Sequence, residues 1–213
     1  MLEQISRTVQ IGNAKLVKEL VKQALEDGLS PADIMNDGLI AAMAVVGDDF
    51  KNNRIFVPEM LVASRAMSQG LKILEPHLVA AGVKPIGTVV IGTVKQDLHD
   101  IGKNLVATMM RGVGATVCDL GVDVPDEIFV KKAEEIDADI VAISALLTTT
   151  MPAIGDVIKA FETAAVRDKY KIMIGGAPVN SNFAKTVGAD YYSPNAAEAA
   201  ELVREILSGM QVH

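Results

Sequence analysis

Apolar residues recur along the first part of the chain at the three- and four-residue spacing of helices. Leu16, Val17, Leu20, Val21, Ala24 and Leu25 form one such stripe, and Gly28 follows as a C-terminal stop. Ser30-Pro31 supplies an N-cap and a first-turn proline for a helix through Ile34, Leu39, Met43, Val46 and Phe50. Val57-Pro58-Glu59 restarts the pattern, with Met60, Leu61, Ser64, Met67, Leu71 and Leu74 on one side. A short helix near residues 2–10 completes four helices with brief connections, the pattern of a small bundle.

The period changes at Gly82-Val83-Lys84-Pro85. Beyond it, short β-branched runs alternate with helical stretches. The predicted strands are Ile86–Gly92, Thr116–Leu120, Ile140–Ser144, Lys171–Ile174 and Tyr191-Tyr192. Helices are predicted near 101–113, 126–135, 151–164, 180–187 and 195–208. Strands with almost unbroken apolar character imply a parallel sheet covered on both faces. The expected fold is therefore α/β. A four-helix bundle over residues 1–84 precedes a Rossmann-like (flavodoxin-like), doubly wound, five-stranded parallel sheet over residues 85–213, in the usual order 2-1-3-4-5.

Composition narrows the chemistry. The 213 residues are half apolar, so a packed core is expected, and the formal net charge of −7 opposes nucleic acid and anionic lipid. One cysteine, Cys118, excludes a disulfide framework or a CxxC metal or redox site. Five Phe, three Tyr and no Trp are too few for stacking platforms on single-stranded nucleic acid. No apolar run approaches the ~20 residues of a membrane span, and MLEQISRTVQIG lacks the start of a signal peptide. A cytoplasmic protein with no nucleic-acid or membrane partner is expected.

Ligands of open α/β sheets bind beyond the carboxyl ends of the strands, at the switch in strand order. The loop after the first strand reads Asp97-Leu98-His99-Asp100-Ile101-Gly102. The loop after the third reads Ser144-Ala145-Leu146-Leu147-Thr148-Thr149-Thr150, and the one after the fourth Gly175-Gly176-Ala177-Pro178. His99 is the only imidazole on this edge, with Asp97 two residues before it. A carboxylate on one imidazole nitrogen fixes the tautomer and leaves the other nitrogen for a metal. A loop histidine bonded to a neighbouring carbonyl is the plain alternative. Asp97 and Asp100 also permit a phosphate-receiver or Mg²⁺ reading, although receivers carry more carboxylates at the strand ends. No G-x-G-x-x-G or G-x-x-x-x-G-K-[ST] follows any strand, which argues against dinucleotides and nucleoside triphosphates.

Taken in order, Asp97-x-His99-x-x-Gly102, Ser144-x-Leu146 and Gly175-Gly176 resemble the cobalamin-binding signature D-x-H-x-x-G, S-x-L, G-G. The runs Gly92–Asn104 and Asp119–Pro125 look like the methyltransferase branch of that family. Residues Phe56–Met67 are similar to the helical cap that precedes the cobalamin domain in methionine synthase. Without catalytic domains attached, the chain resembles the free-standing corrinoid proteins of methyltransferase systems. Gln96 stands where the pattern usually has glycine.

The resemblance implies a cobalamin cofactor (methylcobalamin, cob(I)alamin or a related corrinoid), with His99 replacing its dimethylbenzimidazole as lower axial cobalt ligand. Asp97 would hold the other ring nitrogen, and the Thr150 hydroxyl would contact Asp97. Ser144 and Leu146 would meet the displaced nucleotide tail, in a channel lined near Gly175 and Gly176. Gly102 would let the loop pass close beneath the corrin. Asp100, Ile101 and Thr148 complete the implied cofactor-binding set, and Phe56 of the cap would shield a cobalt-bound methyl group. The implied function is a corrinoid methyl carrier, not a catalyst alone. It would serve a substrate-specific methyltransferase and a corrinoid:tetrahydrofolate or corrinoid:thiol methyltransferase, with a reductive activase. A cobalamin-dependent sensor without its own DNA-binding domain is the alternative. A carbon-skeleton mutase subunit fits the second half, but usually lacks the cap.

Ordinary readings cover the rest. His77, after Pro76, is expected as a surface cap at a helix end, and His213 as a mobile terminus. Cys118 is expected as a buried inert thiol in the second strand, and Met35, Met43, Met60 and Met67 as core gap-fillers. Met109-Met110 should pack the first crossover helix.

Overall fold

The computed structural model describes residues 1–210, so His213 lies outside the described residues. Two compact units emerge: Met1–Pro85 with Gly112–Gly114, and Ile86–Arg111 with the chain from Ala115 onward.

The first unit is helical. Helix α1 spans Leu2–Gln10, α2 Ala14–Glu26, α3 Pro31–Asp33, α4 Ala41–Lys51 and α5 Val57–Ala80. Asn13 caps α2 by accepting from the Leu16 amide, and Ser30 caps α3 through the Asp33 amide, with Pro31 behind it as expected. Ile5, Val9, Val17, Val21, Ile34, Leu39, Met60 and Leu74 are fully buried in this unit.

Two details depart from the predicted helices. Between α3 and α4 the backbone is π-helical over Ile34–Ile40. Ile34 and Leu39 are both fully buried although they stand five apart, which in an α-helix would place them about 140° around the axis. The i→i+5 pattern brings both onto the core side. The same change of period leaves Met35 only half-buried rather than in the core. Helix α5 also runs through Pro76 to Ala80. His77 therefore lies in its exposed last turn, where its carbonyl accepts from the Ala81 amide at 2.9 Å.

The second unit alternates strands and helices. Its strands are β1 Thr88–Thr93, β2 Thr116–Asp119, β3 Ile140–Ser144, β4 Lys171–Gly175 and β5 Tyr191–Tyr192. They form one parallel sheet in the order β2-β1-β3-β4-β5, the order expected. Helices α6 Ile101–Gly112, α7 Asp126–Glu135, α8 Pro152–Thr163, α9 Ser181–Val187 and α10 Ala196–Met210 make the connections. Central strands β1, β3 and β4 are almost wholly buried, as two-sided cover requires. Cys118 is half-buried rather than buried, because β2 is an edge strand. Met109 and Met110 do pack inside.

One sheet end uses its carboxylates structurally. Asp139, just before β3, accepts from the Thr88 amide at 2.8 Å, and Asp190, just before β5, accepts from the Ile172 amide at 2.7 Å. Each satisfies a strand-start donor that the ladder leaves over. The opposite, carboxyl end holds the residues singled out from the sequence. Among the described residues, no helix is long and apolar enough to cross a membrane.

Candidate functional site

Register brings the three sequence elements together. In the ladder Thr93 pairs with Ser144, and Ser144 with Gly175, so the last residues of β1, β3 and β4 stand in one row. The loops leaving them, which carry Asp97-His99, Leu146-Thr150 and Gly176, begin side by side. Gly176 has φ +130, and a Cβ placed on it would lie 1.8 Å from the Ala145 carbonyl oxygen. Only glycine lets these two loops close on each other.

Asp97 anchors the site. It is fully buried, and every oxygen is committed. Oδ1 lies 2.7 Å from His99 Nδ1 and accepts from the His99 amide at 3.1 Å. Oδ2 accepts from the Leu146 amide and from the Thr150 hydroxyl, each at 2.7 Å. Burial by itself disfavours the charge, yet the bonds from Leu146, Thr150 and His99 outweigh it and hold the carboxyl well below its ordinary range. An ionised carboxylate can only accept, so the proton of the shared contact sits on Nδ1. In the neutral ring Nε2 is then the nitrogen that keeps a free lone pair. His99 is roughly half exposed while its partner is not, with side-chain exposures of 49% and 0%.

The loop is braced on both sides. The Thr93 hydroxyl donates to the His99 carbonyl at 2.9 Å. The Asp123 amide donates to the Asp97 carbonyl at 3.0 Å, and the Asp123 carboxylate accepts from the Gln96 amide at 2.7 Å. Gln96 itself has φ +66, the left-handed conformation that glycine would adopt without strain.

Around this polar anchor the surface is unusually apolar. Leu98 and Ile101 are 73% and 81% exposed, and Leu146 and Leu147 about 40%. Gly102 is exposed, in the first turn of α6, and a Cβ there would meet nothing within 4 Å. Thus the fold itself makes no demand for glycine at that position. Asp100 is exposed and accepts from Asn104 Nδ2 at 3.0 Å; Thr148 is exposed, Ser144 half-buried. Phe56 belongs to the other unit, where it is 64% exposed at the start of α5.

One cluster carries no role in the sequence reading, though both of its ends lie in the runs quoted there. Lys103, in the first turn of α6, is buried, and its Nζ donates to both Asp119 oxygens at 2.7 and 2.6 Å. The same ammonium donates to Asn104 Oδ1 at 2.7 Å. The signal available was a basic residue at a helix start, where the macrodipole opposes positive charge.

The donor set defines the class of ligand. Among the described residues no group of three or more His, Cys, Asp or Glu side chains could hold a metal ion. A single fixed imidazole, with exposed leucine and isoleucine in its own loop and in the loop that bonds Asp97, instead suits a metal already coordinated by a flat, largely apolar macrocycle. Comparison with known proteins agrees. Two family models, each described as a B12 binding domain, match residues 87–203 and 1–75. The chain belongs to this family of corrinoid proteins, and its cofactor is cobalamin or a related corrinoid.

Relatives extend along almost the whole chain. Dimethylamine corrinoid protein 3 of Methanosarcina acetivorans is 42% identical, covering 89% of this chain and 91% of its own. A corrinoid protein of Desulfitobacterium hafniense is 38% identical over 97% of both. Among solved structures, the methanol:cobalamin methyltransferase complex of Methanosarcina barkeri matches with a TM-score of 0.88 at 31% identity, covering 96% of this chain and 78% of that one.

Proposed function

We propose that the chain is a methyl-carrying corrinoid subunit that binds its cofactor with the lower base displaced and His99 Nε2 in its place. The observation that carries this is the pairing of Nδ1 with a buried, ionised Asp97, which leaves Nε2 as the free donor on an apolar rim. The corrin cobalt, when bound, supplies a centre that takes up and gives away a methyl group. Everything else falls to the chain.

Leu98, Ile101, Leu146 and Leu147 would lie against the macrocycle and keep water from its lower face. Gly102 would leave room above the first turn of α6. Ser144, Leu146, Thr148, Gly175 and Gly176 would border the displaced nucleotide tail, with Asp100 at its entrance. Residues 1–84 would serve as the cap and 85–213 as the binding domain.

The chain also handles a proton. When the imidazole is not ligating, Nε2 can carry a proton while Nδ1 stays on Asp97. The Thr150 hydroxyl can direct its single proton to Asp97 Oδ2 or to the Leu147 carbonyl, 3.0 Å away. It therefore satisfies the carboxyl in either protonation state. Asp97, His99 and Thr150 would link ligation to proton uptake.

The partners follow from the carrier role: a substrate-specific methyltransferase as donor enzyme, a tetrahydrofolate or thiol methyltransferase as acceptor enzyme, and a reductive activase. Relatives named for dimethylamine and trimethylamine make methylamines the first donors to test. The test is to load ¹⁵N-labelled and unlabelled protein with cobalamin and record the spectra of the reduced paramagnetic form. Expected is a nitrogen superhyperfine pattern that changes with the protein label and disappears in His99→Ala, while the cofactor stays bound. A pattern indifferent to the label would overturn His99 ligation. Failure of the reduced protein to be methylated by any methylamine or methanol methyltransferase would overturn the carrier role.

A further inference from the structure

We infer that Lys103 is a positioning residue for His99, acting through Asp119 and Asn104; this rests on the ligating role proposed for His99. The first turn of α6, Ile101-Gly102-Lys103-Asn104, is locally a poor helix start. Ile101 is 81% exposed, Gly102 is a weak helix former, and a lysine at this end faces the positive pole of the helix. Burying its ammonium adds a desolvation cost. Lys103 is nevertheless buried to 1% side-chain exposure, whereas its partner Asp119 keeps 27%.

The contacts explain why the turn holds. All three ammonium protons are used: two on Asp119, at the end of β2, and one on Asn104 Oδ1. Asp119 is fixed in turn by the Gly121 amide, which donates to Oδ1 at 2.9 Å. Asn104 then passes the constraint back toward the histidine. Its side-chain amide donates to Asp100 Oδ2 at 3.0 Å, and its backbone amide to the Asp100 carbonyl at 2.7 Å. Asp100 directly follows His99, so a chain of polar contacts runs from the end of β2 to the histidine loop. Asp97 fixes the ring nitrogen and Thr93 the His99 carbonyl. Lys103 fixes the segment that leaves the histidine. Without it, the Asn104 side chain that holds Asp100 loses its own anchor on Lys103, and Nε2 loses its fixed height above the loop.

Lys103→Met keeps the aliphatic stem and removes the charge; Asn104→Ala cuts the exposed link and leaves the buried ammonium paired with Asp119; Lys103→Arg restores the charge. Each is read in two ways. In cofactor-free protein, amide exchange over residues 98–104 is expected to quicken about tenfold in Lys103→Met and Asn104→Ala, with the sheet unchanged. In cobalamin-loaded protein, the fraction showing the His99 nitrogen signature is expected to fall, corresponding to ligation about ten- to a hundredfold weaker, with partial recovery in Lys103→Arg. Unchanged exchange and full His99 ligation in Asn104→Ala would overturn the inference, including when Lys103→Met fails to fold. A lower melting temperature with an intact nitrogen signature would also overturn it, by making the cluster merely structural. If the wild-type protein shows no His99 signature, the ligation reading itself fails, which His99→Ala identifies separately.

Discussion

The Thr150 hydroxyl lies 2.7 Å from Oδ2 of the fully buried Asp97, although the two residues are 53 positions apart. This contact ties the end of the β3 loop to the β1 loop, and it is one of the bonds that keep Asp97 ionised. Thr150→Val preserves the shape and deletes the donor. It is expected to cost about 1.5–3 kcal/mol, the range for hydrogen bonds to charged groups, in urea unfolding at neutral pH. Thr150→Ser keeps the hydroxyl and is expected to stay within about 1 kcal/mol of wild type. Equal losses in the two variants would show that the methyl packing, not the hydrogen bond, matters.

Asp97 also makes a signed prediction about pH. Its folded pKa lies below the ordinary 3.8, so the unfolded chain takes up the proton first on acidification. The stability it supplies is complete above the unfolded value and is lost as pH falls through the lower folded one. The stability gap between wild type and Asp97→Asn should therefore narrow as pH falls below about 4. Parallel curves down to about pH 2 would contradict this.

Gly176 and Gly102 are predicted to separate fold from ligand. Gly176→Ala drives a Cβ to 1.8 Å from the Ala145 oxygen and should cost at least about 3 kcal/mol or prevent native packing. Gly102→Ala meets nothing within 4 Å and lies in a helix, so it should gain about 0.5–1 kcal/mol. The same substitution should weaken cobalamin binding, since the added methyl enters the space proposed for the corrin. Melting temperature and cobalamin titration on one sample would then move in opposite directions.

Gln96→Gly should relieve the left-handed backbone at φ +66 and stabilise the protein by up to about 1 kcal/mol, measured by denaturant unfolding. The Asp123 contact is to the residue 96 amide and survives the change. A destabilised Gln96→Gly variant would mean that the glutamine side chain contributes more than the strain costs.

Much of this was legible in the chain. Short β-branched apolar runs such as Ile140–Ser144 read as strands buried on both faces, and their alternation with helical stretches implies a parallel sheet. The rule for its open end then points to Asp97, His99, Ser144 and Gly175. Other features needed more than period. Ile34 and Leu39 look like members of an α stripe, and only packing reveals the π register that buries both. His77, after Pro76, reads as a helix end, yet α5 continues to Ala80.

The sequence by itself determined most of the elements, their order and the placing of one imidazole, His99, at the carboxyl edge of the sheet, because these depend on local spacing and on which residue types occur. Tertiary structure alone decided which atoms are paired. The Leu146 amide reaches Asp97 across 49 positions, and Lys103 reaches Asp119 from a helix to a strand. Neither pairing has a periodicity to reveal it. The first exists because parallel register sets the ends of β1, β3 and β4 in one row, and the second because a buried ammonium must find a partner, since burial makes every unpaired polar atom costly.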